Sequence, residues 1–201
     1  RNKKDYKRLS EHIGLIPLIM ISPSDTYLIE GASDERRRLM DVVISQTDAT
    51  YLQALSRYNK ALKNKNNILS SINFGDDLSK IIPQTESWNT VLAAEGLNVT
   101  YGRLKYFSQL EDLASQLYKE LSGGENLTLK YYSSIFDTTE LKCEEINGLY
   151  NEYLDRLNGS FQRELKMRYT VLGVHRDDMN LYIDGNEVKE SGSQGQQRST
   201  A

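Results

Sequence analysis

The sequence predicts an α+β chain that is mainly helical. Three observations carry this. Apolar side chains recur at helical spacing through long segments, as in Leu52, Leu55, Tyr58, Leu62 and Leu69. Two short segments, 126–132 and 179–189, alternate apolar and polar residues instead, which is the period of a strand. Three prolines and a charged content of 26% suit a soluble, helix-rich body.

Taken in order, residues 1–8 are basic and polar and lack an initiator Met, so they read as the tail of a segment that begins upstream. Residues 14–21 form a short apolar run with Pro17 near its start, which predicts a buried strand. Ser22-Pro23-Ser24-Asp25 predicts a turn. Ser33 or Asp34 can cap a helix that begins near Glu35. The Leu52 to Leu69 face predicts a long helix, with Lys60, Lys63 and Lys65 off that face. Gly75-Asp76-Asp77 and Pro83 mark a break.

A second long helical pattern ends in Leu110, Leu113, Leu117 and Leu121 and is stopped by Gly123-Gly124. Leu127, Leu129 and Tyr131 alternate as a strand. Ile146, Leu149, Tyr150, Tyr153, Leu154 and Leu157 predict a third helix. Residues 179–189 read as a β-hairpin turning at Asp184-Gly185-Asn186 and returning through Val188. There is no internal repeat and no low-complexity segment.

Composition narrows the function. At 201 residues the chain can build one large domain or two small ones. A net charge of −3 is mild, and free-standing nucleic-acid binders are more often basic. Duplex binding by this chain alone is therefore expected to be weak and salt-sensitive, through local patches such as Arg36, Arg37 and Arg38 or the Lys60 to Lys65 face. The single Cys143 excludes an internal disulfide framework and fits a reducing cytosol. No apolar run approaches membrane-spanning length, and no signal-peptide pattern opens the chain.

Two segments compete for one chemical role. Ser193-Gln194-Gly195-Gln196-Gln197-Arg198, near the end of the sequence, has the Ser-x-Gly-Gln form of an ABC-type ATPase signature. In that motif a small residue and a Gly let backbone approach a phosphate, and a helix N-terminus supplies free N–H groups and a positive dipole end. The helix that should follow is expected to be cut off by the end of the chain. Leu121-Ser122-Gly123-Gly124-Glu125 looks like a rival signature, but it is followed by a strand pattern, so it reads as a helix C-cap. His175, Asp177 and Asp178 could in principle hold a catalytic metal, but His12 is the only other histidine and no further ligand cluster accompanies them. They read instead as an Arg–carboxylate pair and a turn into the hairpin. Arg36, Arg37 and Arg38 stand near a helix N-terminus, where positive charge is unfavourable. Either a salt-bridge network or an interaction surface accounts for them. The scattered tyrosines, Tyr131 and Tyr132 included, read as packing residues.

Gly173-Val174-His175-Arg176-Asp177-Asp178, followed by Ser193-Gln194-Gly195-Gln196-Gln197-Arg198, is similar to the RecF family of DNA replication and repair proteins. So is the series Ser22-Pro23-Ser24-Asp25, Gly31, then Arg36-Arg37-Arg38-Leu39-Met40-Asp41. Val174 stands where the family pattern has Pro. The resemblance implies an SMC-like, ABC-type P-loop ATPase head, α/β when whole, with an inserted helical arm. Residues 1–32 and 169–201 would belong to the head and residues 33–168 to the arm. It implies a weak ATPase using ATP and Mg2+, whose two copies associate around ATP, with Ser193, Gln194, Gly195, Gln196, Gln197 and Arg198 meeting the partner's nucleotide. It implies action in DNA repair, recombination, replication and the SOS response, at gapped duplex and single-strand–double-strand junctions, with RecO- and RecR-like partners in the cytoplasm. Arg36, Arg37, Arg38, His175 and Arg176 are candidates for DNA or interface contacts. No phosphate loop of the Gly-x-x-x-x-Gly-Lys-Ser/Thr type occurs in the sequence, nor an apolar strand ending in paired acids, so this chain alone is expected neither to bind nor to hydrolyse ATP.

Overall fold

The computed structural model describes residues 13–16, 18, 20, 22–73, 75–138, 141 and 143–201. Part of the strand expected over 14–21 lies outside the described residues. The described part forms a turn and irregular backbone, with Ile16, Leu18 and Met20 exposed. The turn at Ser22 to Asp25 is present: the Asp25 N–H donates to the Ser22 carbonyl, and the Asp25 carboxylate accepts from the Ser22 N–H. It leads into a 3-10 turn, Pro23–Thr26, and a short helix α1, Tyr27–Glu30.

Helix α2 spans Ser33–Thr47, and its N-cap is Ala32 rather than Ser33 or Asp34. Asp34 and Glu35 instead sit in the first turn, where their charge complements the dipole. Arg36, Met40 and Ile44, spaced by four, form its buried stripe. Asp48 then caps α3, Ala49–Ser71, accepting from the N–H groups of Thr50 and Tyr51 at 2.8 and 3.0 Å. The buried face of α3 is Tyr51, Ala54, Tyr58, Ala61, Lys65 and Leu69. That face is rotated from the expected one, and it takes in Lys65, which the sequence placed off the apolar face.

After a connection through Gly75, Asp77 caps α4, Leu78–Ser122. At 45 residues it is about 68 Å long at 1.5 Å per residue. Pro83 lies inside this helix and does not break it. It sits in the second turn, where only the bond to the Ser79 carbonyl is forgone. Helix α4 packs antiparallel to α3 as the long hairpin of the body. Gly123 ends it in the left-handed region at φ 77°, and the Gly124 N–H reaches back to the Lys119 carbonyl. Leu121 to Glu125 is thus a helix C-cap, as its context predicted.

Strand β1, Leu127–Tyr132, buries Leu127, Leu129 and Tyr131 and exposes the residues between them. A 3-10 turn at Cys143–Gly148 precedes α5, Tyr150–Gly159, and α6, Phe161–Met167. Strand β2, Asp178–Ile183, pairs antiparallel with β1 from Leu127↔Ile183 to Tyr132↔Asp178. Asp184 and Gly185, at φ 46° and 82°, make the two-residue turn to β3, Asn186–Glu187. The hairpin ends sooner than expected: Val188 is buried at the start of α7, Val188–Ser191, instead of continuing the strand. Helix α8, Gln194–Thr200, completes the described chain, so a helix does follow the Ser-x-Gly-Gln motif. Among the described residues no helix is long and apolar enough to cross a membrane.

One core runs through these elements, from Met40 and Tyr58 through Leu92 and Val99 to Leu129, Tyr153 and Val188. Each such side chain contributes about 1.5–3 kcal/mol of apolar burial. Inside this core lies an ion pair. Lys65 of α3 and Glu164 of α6 are both fully buried, with the Lys65 ammonium 2.7 and 2.8 Å from the two carboxylate oxygens. Burial pushes the Lys65 pKa down, and the Glu164 carboxylate opposes that shift. Removing one partner strands a buried charge. Lys65→Met is expected to cost about 3–5 kcal/mol in urea unfolding. The double variant Lys65→Met/Glu164→Leu is expected to recover most of that loss, and a double variant as unstable as the single would contradict this view of the pair.

Candidate functional site

Four elements converge on the Arg103 guanidinium, which is 1% exposed in the middle of α4. Its Nη2 donates to both Asp41 oxygens of α2 at 2.9 and 3.2 Å, and its Nε to Asp41 and to the Tyr51 hydroxyl of α3 at 3.1 and 3.2 Å. Its Nη1 donates to the Val174 carbonyl at 2.7 Å and lies 3.6 Å from Asp177. Burial alone would lower the Arg103 pKa; Tyr131, Tyr51, Asp41 and Asp177 outweigh it, and the pKa rises. Val174 opens a 3-10 turn, and the group it offers here is a carbonyl, which Pro would also supply.

Asp177 and Asp178 extend the network. The Asp177 carboxylate is buried, and it accepts from the Ser134 N–H at 2.8 Å and from the Tyr131 hydroxyl of β1. Asp178 takes a bidentate pair from Arg36 Nε and Nη2 at 2.8 and 3.0 Å. Arg36 Nη1 also donates to the carbonyls of Leu28, Ile29 and Gly31. Arg37 Nη1 donates to the Asp177 carbonyl at 2.6 Å. Three arginines, Arg36, Arg37 and Arg103, thus stand among three aspartates, Asp41, Asp177 and Asp178, in one near-neutral cluster.

His175 uses both ring nitrogens. Nε2 lies 3.0 Å from the Thr170 carbonyl, which can only accept, so Nε2 carries the proton. Nδ1 accepts from the Tyr58 hydroxyl at 2.8 Å. Burial lowers its pKa from 6.5 to about 4. Gly173 precedes it at φ 125°, and a Cβ there would collide with the Tyr58 hydroxyl.

At the other end of the hairpin, Ser193 caps α8. Its Oγ accepts from the Gln196 N–H at 3.2 Å, and the Gln196 Oε1 accepts from the Ser193 N–H at 2.9 Å. The Ser193 hydroxyl hydrogen stays free to donate. Open space adjoins Gly195, whose missing Cβ would meet only Ser193 Oγ, at 3.9 Å. Gln196 Nε2 donates to Glu125 at 3.0 Å, and Glu125 accepts from the Tyr118 hydroxyl of α4 at 2.8 Å. The two segments that competed for the signature role are therefore neighbours: one is a capped helix start and the other a C-cap that braces it.

The expected site residues divide accordingly. Arg36 is 4% exposed and lies in the salt-bridge network. Arg37 is half-buried and Arg38 exposed. Arg176 lies over the Tyr169 ring at 4.8 Å. Lys65 is buried, so it is not part of a phosphate-facing lysine patch. His175, Asp177 and Asp178 do not converge on a common point, because each is turned to a different partner. Among the described residues no group of three or more His, Cys, Asp or Glu is arranged to hold a metal. Sequence reading missed Arg103, Tyr51 and the Lys65–Glu164 pair. A charged residue in mid-helix looks like solvent face unless its distant partner is known.

A mainly helical body on a small antiparallel sheet, with a Ser-capped helix after the hairpin, matches part of an ABC-ATPase-like structure. No family model matches the chain. It is 38% identical over 199 residues to the DNA replication and repair protein RecF of Phocaeicola vulgatus and to that of Bacteroides fragilis, covering 98% of this chain and 49% of each relative. The RecF of Enterococcus faecalis is 36% identical over 202 residues. A solved structure of the recombination mediator protein RecF-ATPrS in the RecFOR pathway superimposes with a TM-score of 0.86 at 28% identity, covering 97% of this chain and 51% of that one. RecF-ATP from the same pathway gives 0.77 at 30% identity over 90% of this chain. Over the span it covers, the chain belongs to the RecF family. It spans about half the length of the curated relatives it matches.

The His175 shift sets a pH dependence. Between pH 6.5 and about 4 the unfolded imidazole binds a proton that the folded one refuses. Stability present above pH 6.5 is thus lost as pH falls towards about 4, by about 3 kcal/mol for this group. Imidazole NMR shifts of His175 are expected to stay at the neutral position down to pH 5. Titration near pH 6.5 would show that the ring is not held as described.

Proposed function

We propose that this chain is the central part of a RecF-like, ATP-dependent DNA-binding protein acting in recombinational and replication-gap repair. The observation that carries the reading is the capped start of α8. Ser193 offers a free hydroxyl hydrogen, and the first two N–H groups of α8, those of Gln194 and Gly195, have no intrahelical partner, the Gln196 N–H being taken by Ser193 Oγ. These groups suit a phosphate presented by a second copy. Ser193, Gln194, Gly195, Gln196, Gln197 and Arg198 form this signature. ATP and Mg2+ would be held mainly by segments outside this chain. ATP, when bound, would supply a terminal phosphate that Ser193 and the start of α8 would hold from a second copy. The residues here would orient and help to neutralise that phosphate; none of them is assigned the hydrolytic step.

In this reading residues 1–32 and 169–201 belong to the ATPase head and 33–168 to the helical arm. Strand β1 lies within the arm span yet pairs with β2 of the second head segment, and that ladder would fix the arm to the head. In the same reading the intact protein meets DNA at gaps and single-strand–double-strand junctions, with RecO- and RecR-like proteins, in the cytoplasm; the RecFOR pathway named for the solved relatives and the DNA replication and repair named for the curated ones support the DNA and partner parts of it. The metal-dependent hydrolase alternative gains no support, because His175, Asp177 and Asp178 serve other partners.

The test uses the longer protein that carries this segment. Ser193→Arg is expected to abolish ATP-dependent dimerisation in sedimentation while the monomer still binds ATP. Ser122 is a poor control, since its Oγ accepts from the N–H of Glu125, which braces Gln196. Ser70→Arg, on the exposed side of α3, is the better one and is expected to leave the dimer intact. A dimer that survives Ser193→Arg would refute the assignment.

A further inference from the structure

We propose that the cavity between α2 and α3 is a binding site for a phosphate ester, gripped by Arg37 and Arg38 at its rim with Asn59 as a further donor. The cavity holds about 330 Å³ and is floored by Arg103 and the His175–Tyr58 pair. That is room for a phosphate together with a sugar-sized carbon skeleton. One wall is apolar, made by Val42, Leu55 and Val174, and would cover the carbon part.

The donors are what mark it as an oxyanion site. Arg103 and His175 spend their hydrogen bonds inside the protein, but the rim does not. Neither the Arg38 nor the Asn59 side chain forms a hydrogen bond or ion pair among the described residues. Arg37 gives only Nη1 to the Asp177 carbonyl, which leaves Nε and Nη2 unspent. Two neighbouring guanidinium groups with free forks match the oxygens of a phosphate. Burial, and then the Arg103 charge, push the Arg37 pKa down, while Asp178, Asp34 and Asp177 oppose the shift. Asp34 also lines the rim and opposes an anion. Asp41 does so less, since its carboxylate is neutralised by Arg103.

The ester could come from a small phosphorylated sugar or from a nucleic-acid backbone. The site does not depend on the signature reading of α8. Deoxyribose 5-phosphate is titrated at low salt into this chain, and into its Arg38→Gln and Asp34→Asn variants. The readouts are the side-chain NMR signals of Arg37 Nε, Arg38 Nε and the Asn59 amide. All three are expected to shift and saturate. Arg38→Gln is expected to weaken binding, and Asp34→Asn to tighten it about two- to fivefold. Both positions are exposed, so neither change threatens the fold. Shifts that never saturate, or that are equal in all three proteins, would overturn the site. A short duplex is the second arm. Movement of the same three signals assigns the site to a DNA backbone. If only the sugar phosphate moves them, the source is a free ester. Duplex binding that moves other signals, with no response to the sugar phosphate, would overturn this site and leave the DNA-binding reading standing.

Discussion

Arg103 is the constraint on which the rest of the molecule depends. A guanidinium taken fully out of water is costly unless every donor is met. Here Asp41 of α2, Tyr51 of α3, the Val174 carbonyl and Asp177 meet it together. None of these partners can shift alone without leaving a charge or a donor unpaired. The helical body and the start of the hairpin are thereby locked at one point. Gly102 beside it shows how close the packing is, since a Cβ there would collide with the Tyr51 ring.

From that point the order spreads in two directions. Through Asp177 it reaches Tyr131 of β1 and fixes the end of the sheet. Through Asp178 and Arg36 it reaches the carbonyls that end α1. The sheet then carries the chain to the opposite end, where Asp184 accepts from the Asn126 N–H and Glu125 meets Gln196. The Ser193 cap is thus tied back to α4 through Gln196, Glu125 and Tyr118. Hydrogen bonds to a carboxylate are stronger than neutral ones, so Glu125 is a firm brace for the cap.

Much of this was legible in the sequence because it is local. The C-cap at Gly123, the alternation of β1 and the Asp184-Gly185 turn are all set by residues within a few positions of each other. The choice between the two signature-like segments followed from what came next in the chain. What failed was long-range or rotational. The buried face of α3 includes Lys65 because Glu164, 99 residues away, neutralises it. Arg36 reads as a surface charge until Asp178, 142 residues away, is known to meet it. Pro83 reads as a break, but early in a helix it forgoes only one bond. The end of the hairpin at Glu187 depends on Val188 finding the core, which alternation cannot reveal.

The central claim is that one buried guanidinium holds the helical body and the sheet together. Native-state hydrogen exchange on the wild-type chain and on Arg103→Lys tests it most directly, since Lys keeps the charge but loses the fork. Protection is expected to fall by a similar factor at the first turn of α3 and along the β1–β2 ladder, although the two lie on different elements. Loss confined to the turns of α4 around residue 103, with the ladder unchanged, would show that the sheet is held independently and would contradict the account.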